Sequence, residues 1–399
     1  MHYVIVGSGV SGITAAKNLR NLKPEAKITI LGDEPHYCYN RPRLIELLGK
    51  EVDIENIFFY PPDWYCQQGI DIYLNVTVKE IHSKKQLVIT DCGQEISYDK
   101  LLLANGSTPN LPPVPGAENR GVFTIRTIDE VRQIQRRALT SSQSIVIGGG
   151  LLGLETAFSL TKLKQEVTVI DRNSWLLKRQ IDQKGSELLQ EILKSYGISV
   201  VLEGNTESIE PPKNSVGDSK DLNVNLKDGR KIPGQIVIFS AGVRPNISLA
   251  EKAGISVNKG IVVDEHLKTS DPNIYASGDV AEFQDKSYGI IPAALEQGKL
   301  AAVNMASEEG QNYEGTIPST SLKIAGIDLI SLGEIYPQED DQVVTKIDSS
   351  NKIFKKAIFR ENCLKGAILL GDKTELPLIH KNLRAQQPFR DPELIFENY

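Results

Sequence analysis

The feature that most constrains the fold is a strand–turn–helix unit that occurs twice in the chain. In the first copy, the apolar strand of residues 2–6 is followed by the turn Gly7-Ser8-Gly9-Val10-Ser11-Gly12 and a helical stretch. In the second copy, residues 144–147 are followed by Gly148-Gly149-Gly150-Leu151-Leu152-Gly153 and another helical stretch. In such a unit the first glycine permits the sharp turn, the second lets the backbone approach a pyrophosphate, and the third lets the helix pack on the strand. The duplication predicts two dinucleotide-binding units in one chain.

Each copy continues into a second apolar strand with an acidic residue at its end. Asp33 and Glu34 follow residues 27–31, and Asp171 follows residues 166–170. A carboxylate at this place accepts hydrogen bonds from the ribose hydroxyls of a bound dinucleotide. A lone glycine-rich turn is weak evidence because such turns are common, but two turns that both precede an acid favour two dinucleotide sites.

Each copy also closes in the same way, with a polar hairpin, an apolar strand and a turn of small residues. The first closing turn covers residues 103–110 and includes Ala104 and Gly106, and the second covers residues 239–246 and includes Gly242. The repeat therefore extends over a whole nucleotide-binding unit rather than over a single turn.

Length and composition limit the class of protein. A chain of 399 residues exceeds the size at which one hydrophobic core usually stops growing, so two or three domains are expected. The net charge of −6 argues against nucleic acid as a general partner, and no run of 18 apolar residues predicts a membrane span. Because the chain begins directly in a strand without a signal-peptide pattern, we expect a cytoplasmic protein. The four cysteines lack metal-ligand spacing, which predicts no bound metal and leaves redox chemistry to an organic cofactor.

A third segment carries a resemblance to a known family. Residues 269–281 read T-S-D-P-N-I-Y-A-S-G-D-V-A, with Gly278 and Asp279 at the start of a helical turn. This segment resembles the two-dinucleotide flavoproteins, in which the aspartate of an I-Y-A-x-G-D segment holds the ribityl chain of FAD. The resemblance implies that Asp279 holds the flavin, that FAD belongs to the first copy, and that the nicotinamide nucleotide belongs to the second.

The resemblance also implies roles for individual residues. Residues 32–46, G-D-E-P-H-Y-C-Y-N-R-P-R-L-I-E, are similar to the rubredoxin reductase and ferredoxin reductase branch, in which an acid meets the adenosine ribose and an arginine contacts FAD. The implied FAD-binding residues are Gly7, Ser8, Gly9, Val10, Ser11, Gly12, Asp33, Glu34, Arg41, Val78, Ala104, Gly106, Asp279, Glu296 and Gln297. The implied NAD-binding residues are Gly148, Gly150, Leu151, Leu152, Gly153, Asp171, Arg172 and Gly242.

The chain departs from its relatives at two places. Many ferredoxin reductase relatives have a lysine where this chain has Glu46, and that lysine pairs with a glutamate matching Glu155. Glu46 cannot form such a pair, but Glu155 is still expected near the reactive edge of the flavin, as the candidate catalytic residue. Related peroxide and coenzyme A disulfide reductases have a catalytic cysteine where this chain has Pro42, and nearby Cys38 is expected to be a buried structural thiol. Direct thiol chemistry is therefore not expected.

The choice between NADH and NADPH depends on Asp171. A carboxylate there favours the free 2′-hydroxyl of NADH, whereas a 2′-phosphate favours arginine and is repelled by an acid. Arg172 and Arg179 follow closely and could reach a phosphate, so NADH is favoured and NADPH stays open.

The predicted fold class is α/β, with two Rossmann-like dinucleotide-binding domains and a small α+β C-terminal domain. The FAD-binding domain is expected to be discontinuous, over residues 1–110 and 243–317, and the NAD(P)-binding domain to cover residues 111–242. The C-terminal domain covers residues 318–399. Its alternating segments predict an antiparallel sheet followed by a helix or two, with strands at residues 320–324, 329–332, 354–360 and 366–370.

The resemblance implies that NAD(P)H donates a hydride to FAD and that electrons then pass singly to a small redox protein. Rubredoxin is the leading acceptor and ferredoxin the next, and the protein itself is expected to be a monomer or homodimer. A basic patch would favour docking of an acidic carrier. The candidate patch consists of Lys352, Lys355, Lys356, Arg360 and Lys365.

Two other functions stay open at the level of sequence. The chain could be a flavin-dependent NADH oxidase or diaphorase, or the flavin subunit of a larger reductase. It could also be a non-enzymatic flavoprotein that senses NAD.

Overall fold

The computed structural model describes residues 1–212, 220–307, 309–316, 320–324 and 327–397, with only the backbone of 320–324. Its contacts divide the chain into two units, which are described separately. The first unit contains Met1–Arg43, Val52–Asn110 and Gly242–Pro318. The second unit contains Leu44–Glu51, Leu111–Ala241 and Ser319–Tyr399.

The helices and strands follow in chain order. Residues 1–110 contain β1 (His2–Val6), α1 (Val10–Leu22), β2 (Lys27–Leu31), α2 (Leu44–Leu48), α3 (Pro62–Gln67), β3 (Asp71–Tyr73), β4 (Val78–His82), β5 (Leu87–Thr90), β6 (Glu95–Ser97), β7 (Lys100–Leu103) and β8 (Ser107–Pro109). Residues 111–241 contain β9 (Val122–Phe123), α4 (Ile128–Ala138), β10 (Gln143–Ile147), α5 (Leu151–Lys162), β11 (Glu166–Ile170), α6 (Gln183–Ser195), β12 (Ile198–Val201), β13 (Thr206–Glu210), β14 (Leu222–Leu226), β15 (Lys231–Gly234) and β16 (Ile236–Phe239).

The remaining elements complete both units. Residues 242–316 contain β17 (Val243–Pro245), α7 (Ser248–Lys252), β18 (Ile261–Val262), β19 (Ile274–Ala276), β20 (Ala281–Glu282) and α8 (Ile291–Ala306). The C-terminal segment contains β21 (Thr320–Ile324), β22 (Ile327–Gly333), β23 (Gln342–Asp348), β24 (Ile353–Arg360), β25 (Cys363–Leu370) and α9 (Leu376–Ala385).

The first unit is built on a parallel sheet with the strand order β19-β7-β1-β2-β3. Its central strand β1 is a continuous apolar run that is buried from Tyr3 to Val6, as expected for a parallel strand covered on both faces. Strands β4, β5 and β6 form a separate antiparallel sheet. Helices α1 and α8 pack closely at Gly298 of α8, where an added Cβ would lie 2.4 Å from the carbonyl oxygen of Ser11.

The second unit repeats this plan in a parallel sheet with the order β12-β11-β10-β16-β9. The pairing register is also repeated. Val6 of β1 pairs with Leu31 and Leu103, and Ile147 of β10 pairs with Ile170 and Phe239. The predicted α/β class with two Rossmann-like sheets is therefore confirmed.

The C-terminal segment forms an antiparallel sheet with the order β21-β22-β25-β24-β23. Helix α9 covers this sheet through Ile379, which shares a core with Phe359 and Leu369. The four predicted strands are present, but β23 was not predicted. It is an edge strand in which Val344 alone is buried, and its sequence Q-V-V-T-K-I-D does not alternate between apolar and polar residues.

Residues 44–51 fall in the second unit. The carbonyl oxygens of α2 accept hydrogen bonds from the second unit, at 2.9 Å from Ser159 Oγ to Ile45 and at 2.7 Å from Gln135 Nε2 to Leu47. This grouping differs from the predicted first domain, which included these residues. The three-domain division itself stays a prediction.

The predicted basic docking patch is wrong, because its two central lysines are buried in ion pairs. Lys355 Nζ lies 2.6 Å from Glu375 Oε2 and 2.5 Å from Asp372 Oδ2, and Lys356 Nζ lies 2.7 Å from Asp182 Oδ2. A buried ammonium group requires such partners, since burial without them costs several kcal/mol. These ammonium groups are paired within the protein and are not available to a docking protein.

Among the residues that the structure describes, no helix is both long enough and apolar enough to cross a membrane.

Candidate cofactor sites

In the glycine turn of the first unit, two of the three glycine positions have no room for a side chain and the third is open. Gly7 has a φ of 111°, and a Cβ added there would lie 2.2 Å from the carbonyl oxygen of Ala104. A Cβ added at Gly12 would lie 2.1 Å from the carbonyl oxygen of Gly7. Both positions therefore require glycine, whereas a Cβ at Gly9 would meet nothing within 4 Å. The open position, Gly9, is the N-cap of α1.

The start of α1 suits a pyrophosphate. Gly9 is the N-cap residue and provides no side-chain cap, so the first N–H groups of the helix lack that partner. These N–H groups and the positive end of the helix dipole form an anion site. Open space at Gly9 gives a phosphate access to them. The turn therefore fits the cofactor that the sequence predicts for it.

The glycine turn of the second unit has almost the same geometry. Gly148 has a φ of 118°, and a Cβ added there would lie 2.2 Å from the carbonyl oxygen of Ser240. A Cβ added at Gly153 would lie 1.9 Å from the carbonyl oxygen of Gly148, while Gly150 is open and begins α5 without a side-chain cap. Leu151 and Leu152 form the first turn of α5. A second pyrophosphate therefore fits here.

Asp171 lies directly beside the second glycine turn. Its Oδ2 accepts a 2.7 Å hydrogen bond from the backbone N–H of Gly149, and its Oδ1 accepts bonds from the backbone N–H and side-chain amide of Asn173. The carboxylate is buried and its orientation is set by these donors. A fixed negative charge here disfavours a 2′-phosphate, although Arg172 and Arg179 are exposed nearby in sequence.

The acids of the first unit are arranged differently. Asp33 is exposed, whereas Glu34 accepts hydrogen bonds of 2.6 Å from Tyr39 OH and 2.5 Å from Arg41 Nη2. The Arg41 guanidinium also donates to Tyr39 OH at 2.8 Å and lies 5.0 Å from the centre of the Tyr39 ring. The structure thus brings two predicted FAD residues, Glu34 and Arg41, together as an ion pair. Sequence reasoning missed Tyr39, which holds both.

The segment 277–279 lies against the start of α1. Ser277 Oγ and Ser11 Oγ are 2.7 Å apart, and a Cβ added at Gly278 would lie 2.9 Å from the Cβ of Ser11. Asp279 Oδ2 accepts a 2.7 Å hydrogen bond from Ser107 Oγ. The segment that carries Asp279 therefore lies beside the first glycine turn, and the flavin role of Asp279 stays a prediction. Ser107 was not predicted, although it follows the predicted Gly106.

The other predicted residues occupy varied positions. Val78 is buried at the start of β4, Gly106 has a φ of 64°, and Gly242 has a φ of 84° and belongs to the first unit. Gln297 is buried and its Oε1 accepts a 2.8 Å hydrogen bond from the N–H of Gly278, so its side chain is directed to that turn. Glu155 is half-buried in α5 of the second unit, and its predicted approach to the flavin stays a prediction.

Cys38 is a structural thiol, as the sequence predicted. It is buried in the core of the first unit, and this burial raises the pKa of its thiol to about 12. The thiolate is the reactive form of cysteine, so Cys38 is inert near neutral pH.

Two glycine turns of matched geometry, each at the start of a helix in its own parallel sheet, define a protein with two Rossmann-like dinucleotide-binding units. The chain belongs to the pyridine nucleotide-disulphide oxidoreductase family, whose model matches residues 1–310. A model of the rubredoxin NAD+ reductase C-terminal domain matches residues 318–387. FAD and NADH are the cofactors that this family implies.

Individual relatives fall into two groups by length. The chain is 38% identical over 385 residues to the assimilatory nitrate reductase electron transfer subunit of Bacillus subtilis, covering 96% of this chain and 49% of the relative. It thus spans about half the length of that protein. It is 30% identical to the NADH-rubredoxin oxidoreductase of Clostridium acetobutylicum, covering 92% of this chain and 90% of the relative.

A solved structure extends the likeness over the whole chain. A covalent putidaredoxin reductase–putidaredoxin complex has a reductase-like chain with a TM-score of 0.85 and 26% identity, covering 100% of this chain and 96% of that chain.

Proposed function

We propose that this protein takes a hydride from NADH and passes electrons one at a time to a small electron-carrier protein. The observation that carries the proposal is the pair of open glycine turns, at Gly9 and Gly150, in two separate sheets of one chain. FAD, when bound, accepts a hydride and releases electrons singly. Because Cys38 is buried with a raised pKa, a thiol at that position does not take part in the transfer.

The residues of the chain have distinct tasks in this proposal. The first glycine turn and α1 hold the FAD pyrophosphate, while Asp279 holds the polyol that joins it to the ring system. The second glycine turn holds the NADH pyrophosphate, and Asp171 receives the ribose hydroxyls. Glu155 of α5 is the proposed catalytic residue. Positioning of the two cofactors is thus the main contribution of the protein.

Rubredoxin is the proposed acceptor, with ferredoxin as the next choice. Support comes from the C-terminal match to a rubredoxin NAD+ reductase domain and from the likeness to a rubredoxin oxidoreductase along nearly its full length. The likeness to a reductase joined to putidaredoxin supports a carrier protein in general. The docking surface is not the lysine run of β24, since Lys355 and Lys356 are internally paired.

A second function is favoured by a specific observation. The identity of 38% to an electron transfer subunit of nitrate reductase, and of 38% to a nitrite reductase of which the chain spans 46%, favours electron input into a larger reductase. In that case the acceptor is another subunit rather than a freely diffusing carrier.

An anaerobic titration distinguishes these functions. The flavin absorbance is followed while NADH, and in a parallel sample NADPH, is added to the FAD-loaded protein, and rubredoxin or ferredoxin is then mixed in. Rapid bleaching by NADH and rapid reoxidation by a carrier support the first function. Bleaching by NADH with slow reoxidation by both carriers and by oxygen favours a subunit of a larger reductase, and a flavin that neither nucleotide reduces refutes both.

A further inference from the structure

A chain of hydrogen bonds links the Gly278 turn to a surface carboxylate. Gly278 N–H donates to Gln297 Oε1 at 2.8 Å, and Gln297 Nε2 donates to Tyr313 OH at 3.1 Å. Tyr313 OH lies 2.6 Å from Thr316 Oγ1, which donates to Glu296 Oε2 at 2.5 Å. Gln297, Tyr313 and Thr316 are buried, and Glu296 is exposed. We call these four side chains the Gln297 chain.

The hydrogen bonds of the Gln297 chain all run from donor to acceptor in one direction, from Gly278 toward Glu296. Thr316 donates its single hydroxyl proton to Glu296. Thr316 Oγ1 must therefore accept its other hydrogen bond from the hydroxyl of Tyr313. Tyr313 then accepts from the amide of Gln297, which leaves the amide oxygen for Gly278. Burial raises the pKa of Tyr313, which keeps its hydroxyl protonated and able to donate. Such aligned bonds polarise and strengthen one another in a buried site.

The turn at the end of this chain is fixed on three sides. Ser277 meets Ser11 of α1, Asp279 accepts from Ser107 of β8, and Gly278 donates to Gln297 of α8. Gly278 has a φ of 80°, a conformation that its packing against Ser11 restricts to glycine. The orientation of Asp279 therefore depends on a bond that the Gln297 amide makes one residue earlier.

We propose that Gln297, oriented by Tyr313, Thr316 and Glu296, is a positioning residue that sets the Gly278–Asp279 turn for the flavin. The proposal rests on the proposed function, because it assigns that turn to FAD. It differs from a direct contact between the Gln297 side chain and the flavin, since both atoms of its amide are used within the protein.

The test compares two buried tyrosines in the same unit. Tyr313→Phe removes a hydroxyl from the Gln297 chain, while Tyr275→Phe removes a hydroxyl that donates to the carbonyl oxygen of Asn304, at 3.1 Å. Tyr313→Phe loses the bonds to Gln297 and Thr316, and Tyr275→Phe loses the bond to Asn304. We expect both to unfold at a slightly lower temperature, but Tyr313→Phe alone should raise the FAD dissociation constant, by about three- to tenfold. It should also change the visible circular dichroism of the bound flavin.

A second pair of variants tests the hydroxyl of Thr316. Thr316→Val keeps the shape of the side chain but removes its donor, and Thr316→Ser restores the hydroxyl without the methyl group. The flavin signal should change in Thr316→Val and return toward the wild type in Thr316→Ser. If Tyr313→Phe and Thr316→Val bind FAD with the wild-type affinity and dichroism, the positioning role is refuted, even where NADH still reduces the flavin. A wild-type flavin that NADH does not reduce would instead refute the proposed function.

Discussion

The two glycine turns differ at one pair of facing positions. The register places Gly32 and Asp171 at equivalent strand ends, and Ser8 and Gly149 at equivalent turn positions. In the first unit a Cβ added at Gly32 would lie 2.4 Å from Ser8 Oγ, and in the second a Cβ added at Gly149 would lie 2.5 Å from Leu176 Cδ2 and 2.7 Å from Asp171 Oδ2. The space between turn and strand end therefore admits one side chain. It comes from the turn in the first unit and from the strand end in the second.

This exchange changes where each unit carries its acid. Asp171 is bonded to the turn itself, through the N–H of Gly149. In the first unit the corresponding place is taken by Ser8, and the half-buried acid is Glu34, two residues beyond the strand-end glycine and paired with Arg41. The position marked x in a glycine-rich turn is therefore not neutral, because it decides whether a carboxylate can lie against the turn.

The largest expected effect separates the two sites by charge. Gly9→Asp and Gly150→Asp each place a carboxylate in open space at a helix start, where the fold tolerates it as an N-cap. Repulsion of the pyrophosphate should weaken binding by about 100-fold or more at each site. Gly9→Asp should purify colourless, whereas Gly150→Asp should retain FAD but require far more NADH for reduction. Absorbance spectra and the NADH dependence of flavin bleaching measure both.

The matched pair also provides the control, since the two variants carry the same substitution at equivalent positions. A colourless Gly150→Asp, or a Gly9→Asp that binds FAD normally, would show that the assignment of cofactors to turns is reversed or wrong.

The next effect tests whether the space between the turn and the strand end admits only one side chain. Gly32→Asp alone should destabilise the protein by about 1–3 kcal/mol, because the new side chain overlaps Ser8. Adding Ser8→Gly removes the overlap and should recover most of that loss, which gives a coupling of about 1 kcal/mol or more. Urea unfolding of the two single variants and the double variant measures the cycle. Strict additivity would mean that the two positions do not share one space.

Much of this comparison is predictable from the sequence, because it depends on local geometry. Gly7 and Gly148 are recognisable since each must turn sharply after an apolar strand, and the acids follow at fixed positions. The tertiary partners are not predictable in this way. Lys356 pairs with Asp182, 174 residues away, and Ser107 bonds to Asp279, 172 residues away. A run of basic residues in the sequence predicts a solvated surface, because the sequence alone does not show that a distant acid pairs with them.

A smaller effect concerns nucleotide choice in the second unit. Asp171→Asn removes the negative charge but keeps a side-chain oxygen that can accept from the N–H of Gly149. The ratio of kcat/KM for NADPH over NADH should then rise by about tenfold, because the repulsion of a 2′-phosphate is lost. Gln165→Leu is the control, since this buried amide bonds to Ser144 and to backbone carbonyls of the same unit. An unchanged ratio in Asp171→Asn would assign the preference to other residues.

The smallest effect concerns Cys38, which lies between Glu34 and Arg41 in the segment that carries the acid of the first unit. Burial raises the pKa of Cys38 to about 12, whereas the hydrogen bond from Thr90 contributes to a lowered pKa at the exposed Cys92. Because the thiolate is the reactive form, iodoacetamide at pH 8 should modify Cys92 first and leave Cys38 intact in the folded protein. Cys38→Ala should change flavin reduction by NADH by less than about twofold, since the thiol contributes packing rather than chemistry. Peptide mass spectrometry after timed alkylation measures the order of modification. If Cys38 were modified as fast as Cys92, the first unit would contain a reactive thiol, and electron transfer through the dinucleotides alone would no longer be the expected mechanism.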